Sequence, residues 1–284
     1  MVDFPLPDRP LPNKIRFRDL YIEYIDHSVI AFLRSNKQIW DRMGTNLLIR
    51  IESDTNVIQP IWDVLASEIW PIFAPNIRHL SIDDEDHLDN LRRLISPTIL
   101  TDLDQLLSID TYNLFTDSVA DHFDGPNATA GQALAKWVHT STKDGQPKRL
   151  ICVDYDDEVN IDWVNSFKEA FARATASVSY KIKFAVCKTS IGPFEWVNER
   201  TKEKLTLENV SSYGGGDWLL KRCSISEKAA IQWENDDENW DDNLNNVQFN
   251  LWGGKSSTGP CRNKWTKKKK KRVKASKYRR TMRK

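Results

Sequence analysis

Alternating apolar and polar residues predict paired strands near the middle of the chain. In Ile77–Ile82, and again in Gln105–Ile109, a Leu-x-Ile triplet puts two apolar side chains on one face, because side chains alternate along a strand. Between these stretches, Leu88, Leu91 and Ile95 recur at helical spacing and form one apolar stripe. The segment therefore predicts a strand, a helix, a turn and a second strand.

Similar units recur along the chain. Further strands are predicted at Phe17–Ile25, Asn46–Ile51, Arg149–Asp154 and Tyr180–Val186, with amphipathic helices at 29–39, 61–73, 132–137 and 161–174. The leading apolar residues of the six strands stand at 20, 47, 80, 107, 150 and 182, about 30 residues apart once the insertion 111–130 is set aside. A strand and a helix every ~20–29 residues are typical of leucine-rich repeats. We predict an α/β fold with an irregular, leucine-rich-repeat-like strand-helix layer; an ordinary open α/β sheet is the alternative.

The periodicity changes after Cys187. The segments Pro193–Asn198 and Glu203–Leu207 predict a β-hairpin, and Trp218–Cys223 and Asn246–Trp252 predict two more strands. We expect these strands to form an antiparallel cap on the exposed end of the layer. The predicted organisation is an extended leader (1–14), a repeat-like region (15–187), a β-rich C-terminal cap (188–254) and a disordered basic tail (255–284).

The charge of the chain is divided unevenly. The formal net charge is +1, but residues 264–284 contain 13 Lys/Arg and no acid, and the other 263 residues carry 28 Lys/Arg against 40 Asp/Glu. The chain is thus an acidic body with a basic tail, and a tail of this composition is typical of disorder.

Cysteine usage and hydropathy indicate the compartment. The four cysteines have neither zinc-site nor disulfide-framework spacing, and Cys152, Cys187 and Cys223 lie in apolar stretches, as buried small hydrophobes do. The N-terminal stretch lacks the pattern of a signal peptide, and no apolar run approaches the ~20 residues of a membrane span. We expect an intracellular protein, cytoplasmic or nuclear, that does not interact with membranes.

Two acidic runs follow predicted strands, Asp83–Asp86 and Asp154–Glu158. Functional groups gather at the carboxyl ends of parallel strands, so a divalent cation site is conceivable there. Helix N-capping is the interpretation that we favour. The run Asp236–Asp242 lacks the Gly and terminal Glu of a calcium loop and predicts a solvated acidic loop.

Nothing in the sequence specifies a catalytic centre. The five histidines show no metal-binding spacing, and His79 is expected on the polar side of its strand. A Ser/His/Asp triple could be assembled, but no GxSxG motif supports it. Gly214–Gly216 lacks the following residues of a nucleotide-binding loop. We therefore predict a non-enzyme with no cofactor and no metal.

The basic tail is the single candidate site. Its cluster matches a nuclear localisation signal, and it could equally bind RNA through sequence-independent charge contacts or have no role. The residues concerned are Lys267, Lys268, Lys269, Lys270, Lys271, Arg272 and Lys274.

Short motifs along the chain resemble a large group of nematode F-box-containing proteins, over roughly residues 5–252. The matching segments are Leu11–Phe17, Ile22–Leu33, Gly44–Leu47, Ile69–Pro71, Leu91–Arg93, Ser96–Leu100, Gln132–Thr140, Asp144–Leu150, Pro193–Glu195, Val197–Thr201 and Trp218–Cys223. Their order along the chain is part of the resemblance.

The resemblance implies the substrate-recognition part of an F-box-type ubiquitin ligase adaptor. Such a protein binds client proteins, and its F-box docks the adaptor subunit of a cullin–RING ligase through helices that meet a groove. No F-box pattern is evident in this chain, so docking is expected only if an F-box precedes Met1. The alternative function is a nuclear or RNA-associated protein that acts through its tail, with an import receptor or RNA as partner.

Overall fold

A single mixed β-sheet of 11 strands organises the computed structural model, with the order β11-β1-β10-β2-β3-β4-β5-β6-β9-β8-β7. The structure describes residues 10–12, 17–23, 25–41, 44–53, 58–83, 85–112, 125–153, 161–185, 191–210, 216–225, 245–253 and 264–267. The strands are β1 (Phe17–Ile22), β2 (Thr45–Ser53), β3 (Ile77–Ile82), β4 (Ser108–Tyr112), β5 (Lys148–Val153), β6 (Tyr180–Ala185), β7 (Phe194–Asn198), β8 (Glu203–Asn209), β9 (Asp217–Ser224), β10 (Asn245–Gly253) and β11 (Lys264–Lys267).

Helices connect the parallel strands. They are α1 (His27–Ser35), α2 (Lys37–Asp41), α3 (Ile58–Val64), α4 (Trp70–Phe73), α5 (Glu85–Leu94), α6 (Ile99–Asp102), α7 (Ala130–Val138) and α8 (Ile161–Arg173). Asp26 caps α1 by accepting a hydrogen bond from the Val29 N–H. Thr129 and Gln132 form a reciprocal capping box at the start of α7.

One wide helical turn separates α3 from α4. Residues Leu65–Ile69 form a π-helical turn, and Pro71 follows directly in α4. Proline has no N–H to donate, and its ring clashes with the carbonyl four residues earlier, here that of Ser67. The wider turn accommodates Pro71 without ending the helix, so the predicted helix at 61–73 continues to Phe73.

The sheet is parallel in its centre and antiparallel at both ends. Strands β1, β10, β2, β3, β4, β5 and β6 run parallel, whereas β9, β8 and β7 follow β6 in antiparallel pairs and β11 pairs antiparallel with β1. From β2 to β6 each strand lies beside its sequence neighbour. Right-handed crossovers that always step in one direction put their helices on the same face of a sheet.

An apolar row crosses the face on which these helices pack. Cα partners join one apolar residue from each of ten strands, from β1 to β7: Leu20, Val247, Leu47, Leu80, Ile109, Leu150, Ile182, Leu220, Leu207 and Phe194. All ten belong to the core or pack against it. We call this side the helix face. The α/β class predicted from the sequence is confirmed.

The last long strand corrects the predicted cap. The hairpin β7–β8 and strand β9 are antiparallel, as predicted, but β10 leaves this group and lies between β1 and β2, parallel to both. Val247, Phe249 and Leu251 of β10 are buried there, and the Phe249 ring meets Phe73 of α4 edge-on, 6.2 Å between centroids. Burying three apolar side chains contributes roughly 1.5–3 kcal/mol each, which favours the position of β10 between β1 and β2 over a position at the exposed end of the sheet.

Two other expectations need correction. The predicted tail is not disordered throughout, since Lys264–Lys267 within it form β11; the remainder of 255–284 lies outside the described residues. Strand β4 begins at Ser108 rather than Gln105, and Ile109, not Leu107, lies opposite Leu80. The domain boundaries otherwise stay predictions.

Candidate functional site

A row of polar side chains crosses the other side of the sheet. Direct Cα partners join, from β1 to β7, Asp19, Asn246, Asn46, His79, Ser108, Arg149, Lys181, Lys221, Thr206 and Glu195. At about 4.8 Å between strands, the row extends over roughly 43 Å. None of the ten belongs to the hydrophobic core. We call this side the polar face.

At the β1 end of the polar face, side chains bond across strands. The Asn46 amide donates to the Asn246 carbonyl oxygen at 3.1 Å, and the Asn246 amide donates to Asp19 Oδ1 at 3.0 Å. The three residues belong to β2, β10 and β1. The ladder therefore selects the register in which β10 sits between two strands from the start of the chain.

The middle of the polar face holds a histidine beside an acid and a serine. His79 Nε2 lies 3.2 Å from Asp110 Oδ2, and Ser108 is the direct Cα partner of His79. Three buried atoms here have no hydrogen-bond partner among the described residues: His79 Nδ1, Ser108 Oγ and Asp110 Oδ1. Leaving such groups unsatisfied costs about 1–3 kcal/mol each, so this part of the sheet is not arranged for maximum stability.

This Ser/His/Asp group does not have the geometry of a catalytic triad. Ser108 is 0% exposed, and its hydroxyl makes no hydrogen bond to His79. Strand β4 is paired on both sides, by β3 and β5, so its backbone N–H groups are engaged in the sheet. Acyl transfer needs free donors where an oxyanion develops. The prediction that the chain is not an enzyme nevertheless stays a prediction.

The β5–β9 part of the polar face is basic. Arg149, Lys181 and Lys221 are successive Cα partners on β5, β6 and β9. Nearby, Lys183 lies 3.5 Å from Asp217 and Lys204 lies 3.6 Å from Glu195, so acids accompany the cations. The polar face thus has a carboxylate and amides at one end and a cation-rich region towards the other.

Two aspartates on the polar face have cross-strand partners. Asp83 pairs with Arg50 on the adjacent strand, 2.6 Å from its Nε, and Asp110 pairs with His79. Asp84, the residue before α5, lies outside the described residues, so N-capping by the run Asp83–Asp86 stays a prediction. Among the described residues no group of three or more His, Cys, Asp or Glu could hold a metal ion. Asp154–Glu158 and Asp236–Asp242 lie outside the described residues.

A buried ion pair on the helix face makes several further hydrogen bonds. Glu203 and Arg222 form an ion pair at 2.7 Å between β8 and β9. The Glu203 carboxylate also accepts from the Ser177 hydroxyl and the Val178 N–H, and the Arg222 guanidinium also donates to the Ala176 carbonyl. These bonds tie the connection between α8 and β6 to the antiparallel strands.

Two further ionisable groups are buried on this face. Burial lowers the pKa of Lys148 to about 7, while its Nζ donates to the Trp137 carbonyl and lies 4.9 Å from the Trp137 ring centroid. Burial also raises the pKa of Tyr180, the Cα partner of Lys148. In the folded protein, Lys148 is therefore mainly neutral above pH 7. Tyr180 is neutral at any pH well below its raised pKa.

Among the described strands, β7 is the last at the antiparallel end of the sheet. Its Trp196 is 44% exposed on the helix face and its Val197 is 51% exposed on the polar face. Lys168 of α8 lies over two rings of this strand, 4.1 Å from the Phe194 centroid and 5.6 Å from that of Trp196. Sequence reasoning found this hairpin but not its exposure, which depends on what lies beyond the strand.

Of the predicted tail site, Lys267 alone belongs to the described residues. Lys267 is the last residue of β11, where it is the Cα partner of Phe17 on β1. Lys268, Lys269, Lys270, Lys271, Arg272 and Lys274 lie outside the described residues. Of the cysteines, Cys152 and Cys223 are buried, as predicted, and burial raises the pKa of the Cys223 thiol. Cys187 and most of Gly214–Gly216 also fall outside the described chain.

Comparison with protein-family models, curated proteins and solved structures finds no match for this chain. The resemblance to nematode F-box proteins therefore stays a prediction. No helix in the described part of the chain has the length and apolar character needed to cross a membrane.

Proposed function

We propose that this chain is a non-catalytic protein-interaction module and that its polar face binds the client. The ten-strand polar row supports this role, because it crosses the sheet outside the hydrophobic core and contains polar atoms without a hydrogen-bond partner among the described residues. His79, Ser108, Lys181 and Thr206 of this row are buried, whereas the remaining six residues are partly or fully exposed. Proteins depart from locally favourable arrangements mainly at functional sites. The succession β2 to β6 with helices on one face also favours a leucine-rich-repeat-like layer over an ordinary open sheet.

Within this proposal, the F-box resemblance identifies the biological setting. The chain corresponds to the substrate-recognition part of a cullin–RING ligase adaptor, in the cytoplasm or the nucleus. The cation-rich region around Lys221 contributes orientation and association rate to client binding, as charged surfaces do in protein complexes. Docking of the ligase's adaptor subunit depends on an F-box upstream of Met1.

The test compares charge reversal on two lysines. The tagged wild-type chain, Lys221→Glu on the polar face and Lys143→Glu in an exposed turn are used to capture proteins from cells, with the purified ligase adaptor subunit assayed directly. We expect a specific client that wild type and Lys143→Glu retain and Lys221→Glu loses. Absence of both a client and adaptor binding would remove the support for this function, and equal loss in both variants would remove the polar face from it.

The second candidate is nucleic-acid binding or nuclear import through the tail. Strand β11 carries Lys264 and Lys267 and supports this role because the basic cluster continues directly from a strand of the sheet. Such contacts neutralise phosphates without reading bases. Deleting 268–284, which leaves β11 intact, should abolish retention of poly(U) RNA and nuclear accumulation. Unchanged retention and localisation would argue against both roles of the tail.

A further inference from the structure

We infer that strand β7 is a second docking site, which takes an extended segment of a partner protein carrying a carboxylate next to an apolar side chain. Strand β7 (Phe194–Asn198) is the last strand at its end of the sheet. An edge strand leaves alternate backbone N–H and C=O groups directed outwards, where an added strand can bond to them. The site is separate from the polar face proposed to bind the client.

The side chains of β7 do not protect this edge. Natural edges are blunted by lysines or prolines within the strand, or by bulges. Strand β7 has a single charge, Glu195, and that carboxylate lies 3.6 Å from Lys204 of the neighbouring strand. Trp196 and Val197 stay exposed on opposite faces, so an added strand would find an apolar contact on each side.

Lys168 determines the charge of the occupant. Its Nζ lies over the Phe194 and Trp196 rings on the helix face and forms no salt bridge with any described residue. A partner strand beside β7 would place every second side chain on this face. A carboxylate there meets the Lys168 ammonium, and the next side chain on the same face packs on Trp196.

The same lysine argues against a second copy of this chain as the occupant. Two β7 strands related by a two-fold axis at Trp196 would pair antiparallel, with Trp196 opposite its symmetry mate. Each tryptophan carries a Lys168 over its ring, so this pairing brings two cations together at the interface. The single acid of β7 does not relieve the repulsion, because Glu195 points to the polar face. A foreign strand with an acid has no such cost.

The test uses two synthetic peptides and the full chain. The first is fluorescein-labelled Thr-Val-Thr-Glu-Val-Leu-Thr-Val-Thr with blocked ends, and the second has Lys in place of its Glu. Fluorescence anisotropy should show that wild type prefers the Glu peptide by about two- to tenfold, the range that an exposed charge pair allows. Lys168→Glu should reverse this preference, and Lys168→Met should abolish it.

Three controls separate docking from general effects. Lys143→Glu makes the same charge change at a remote exposed lysine and should leave the preference intact. Trp196→Ala should weaken both peptides about fivefold, with an unchanged melting temperature. Lys221→Glu on the polar face should leave peptide binding unchanged, which distinguishes failure of this site from failure of the proposed client surface.

Three outcomes would overturn the inference. The first is a preference between the peptides that Lys168→Glu does not reverse. The second is no binding of either peptide at millimolar concentration. The third is self-association of the wild-type chain in sedimentation experiments that Trp196→Ala abolishes, because that result would assign the edge to a second copy.

Discussion

The helix face and the polar face of this sheet are built from the same strands but treat polar groups differently. On the helix face, the buried pair Glu203 and Arg222 has a bonding partner for each side-chain charge, beside a row of ten apolar residues. On the polar face, buried atoms of the ionisable pair His79 and Asp110, and of Ser108, lack partners among the described residues. The hydroxyls of Thr45 and Tyr180 on the helix face also lack partners there, so the two faces differ in how their buried ionisable pairs are bonded and not in the presence of unsatisfied hydroxyls.

The substitution that we expect to have the largest effect on stability is Glu203→Gln. The substitution leaves the Arg222 guanidinium buried without its counter-charge, and breaking a buried pair on one side costs about 3–5 kcal/mol. Urea unfolding should show this loss. The control Glu199→Gln removes an exposed carboxylate from the neighbouring turn and should cost less than about 1 kcal/mol. Equal effects would mean that the buried bonds of Glu203 contribute nothing particular.

Substitutions at two adjacent residues of β4 allow the contributions of the two faces to stability to be compared directly. Ile109 and Ser108 are both 0% exposed, but they point to opposite sides of the sheet. Ile109→Ala should lower the free energy of unfolding by about 2–5 kcal/mol, because it removes buried apolar volume. Ser108→Ala should be neutral or stabilising, since the hydroxyl lost has no partner. A comparable cost for both variants in urea unfolding would show that Ser108 Oγ is bonded in solution.

Lys148 predicts a dependence of stability on pH that arises on the helix face. Its pKa is about 7 in the folded protein against a usual value of 10.5, so between these values the unfolded chain binds more protons. The free energy of unfolding therefore rises with pH in this window, by at most about 1.4 kcal/mol per pH unit, and is independent of this group well below pH 7. Lys148→Met should flatten the slope between pH 7 and pH 10. An identical slope in wild type and Lys148→Met would contradict the burial of the ammonium group.

The smallest expected effect concerns the amide ladder. Asn246→Ala removes the bonds to Asn46 and Asp19 and should cost about 1–2 kcal/mol, the value of one or two hydrogen bonds, one of them to a charged group. Gln248→Ala on the same strand and face is the matched control and should change stability by less than about 0.5 kcal/mol. If both variants behave alike, the ladder does not hold β10 between β1 and β2.

Much of the local structure follows from the sequence. The Leu-x-Ile alternation predicts β3 correctly and β2 within two residues, and the helical stripe of Leu88 and Leu91 predicts α5, because these patterns depend on residues only a few positions apart. The observed β4 begins and ends three residues later than the predicted strand Gln105–Ile109. Leu107 and Ile109 both fit an alternating pattern, and only the pairing with β3 decides which of them lies opposite Leu80.

The candidate sites are less predictable. The side of the strand on which His79 lies follows from alternation, but its approach to Asp110 depends on the register between β3 and β4. Trp196 is exposed because β7 is the last of the described strands at its end of the sheet. The order of the strands cannot be predicted from the residues within β7. The basic tail is evident from composition alone, and its role stays a prediction.

By itself, the sequence determined which residues share a face of each strand, the approximate positions of the longer amphipathic helices, and that charge is divided between an acidic body and a basic tail. Only the tertiary structure decided the order of the strands. The insertion of β10 between β1 and β2 joins Asn46 to Asn246 across 200 positions. This contact forms because Val247, Phe249 and Leu251 pack into the core when β10 lies between β1 and β2. That packing depends on distant residues and not on the pattern within β10.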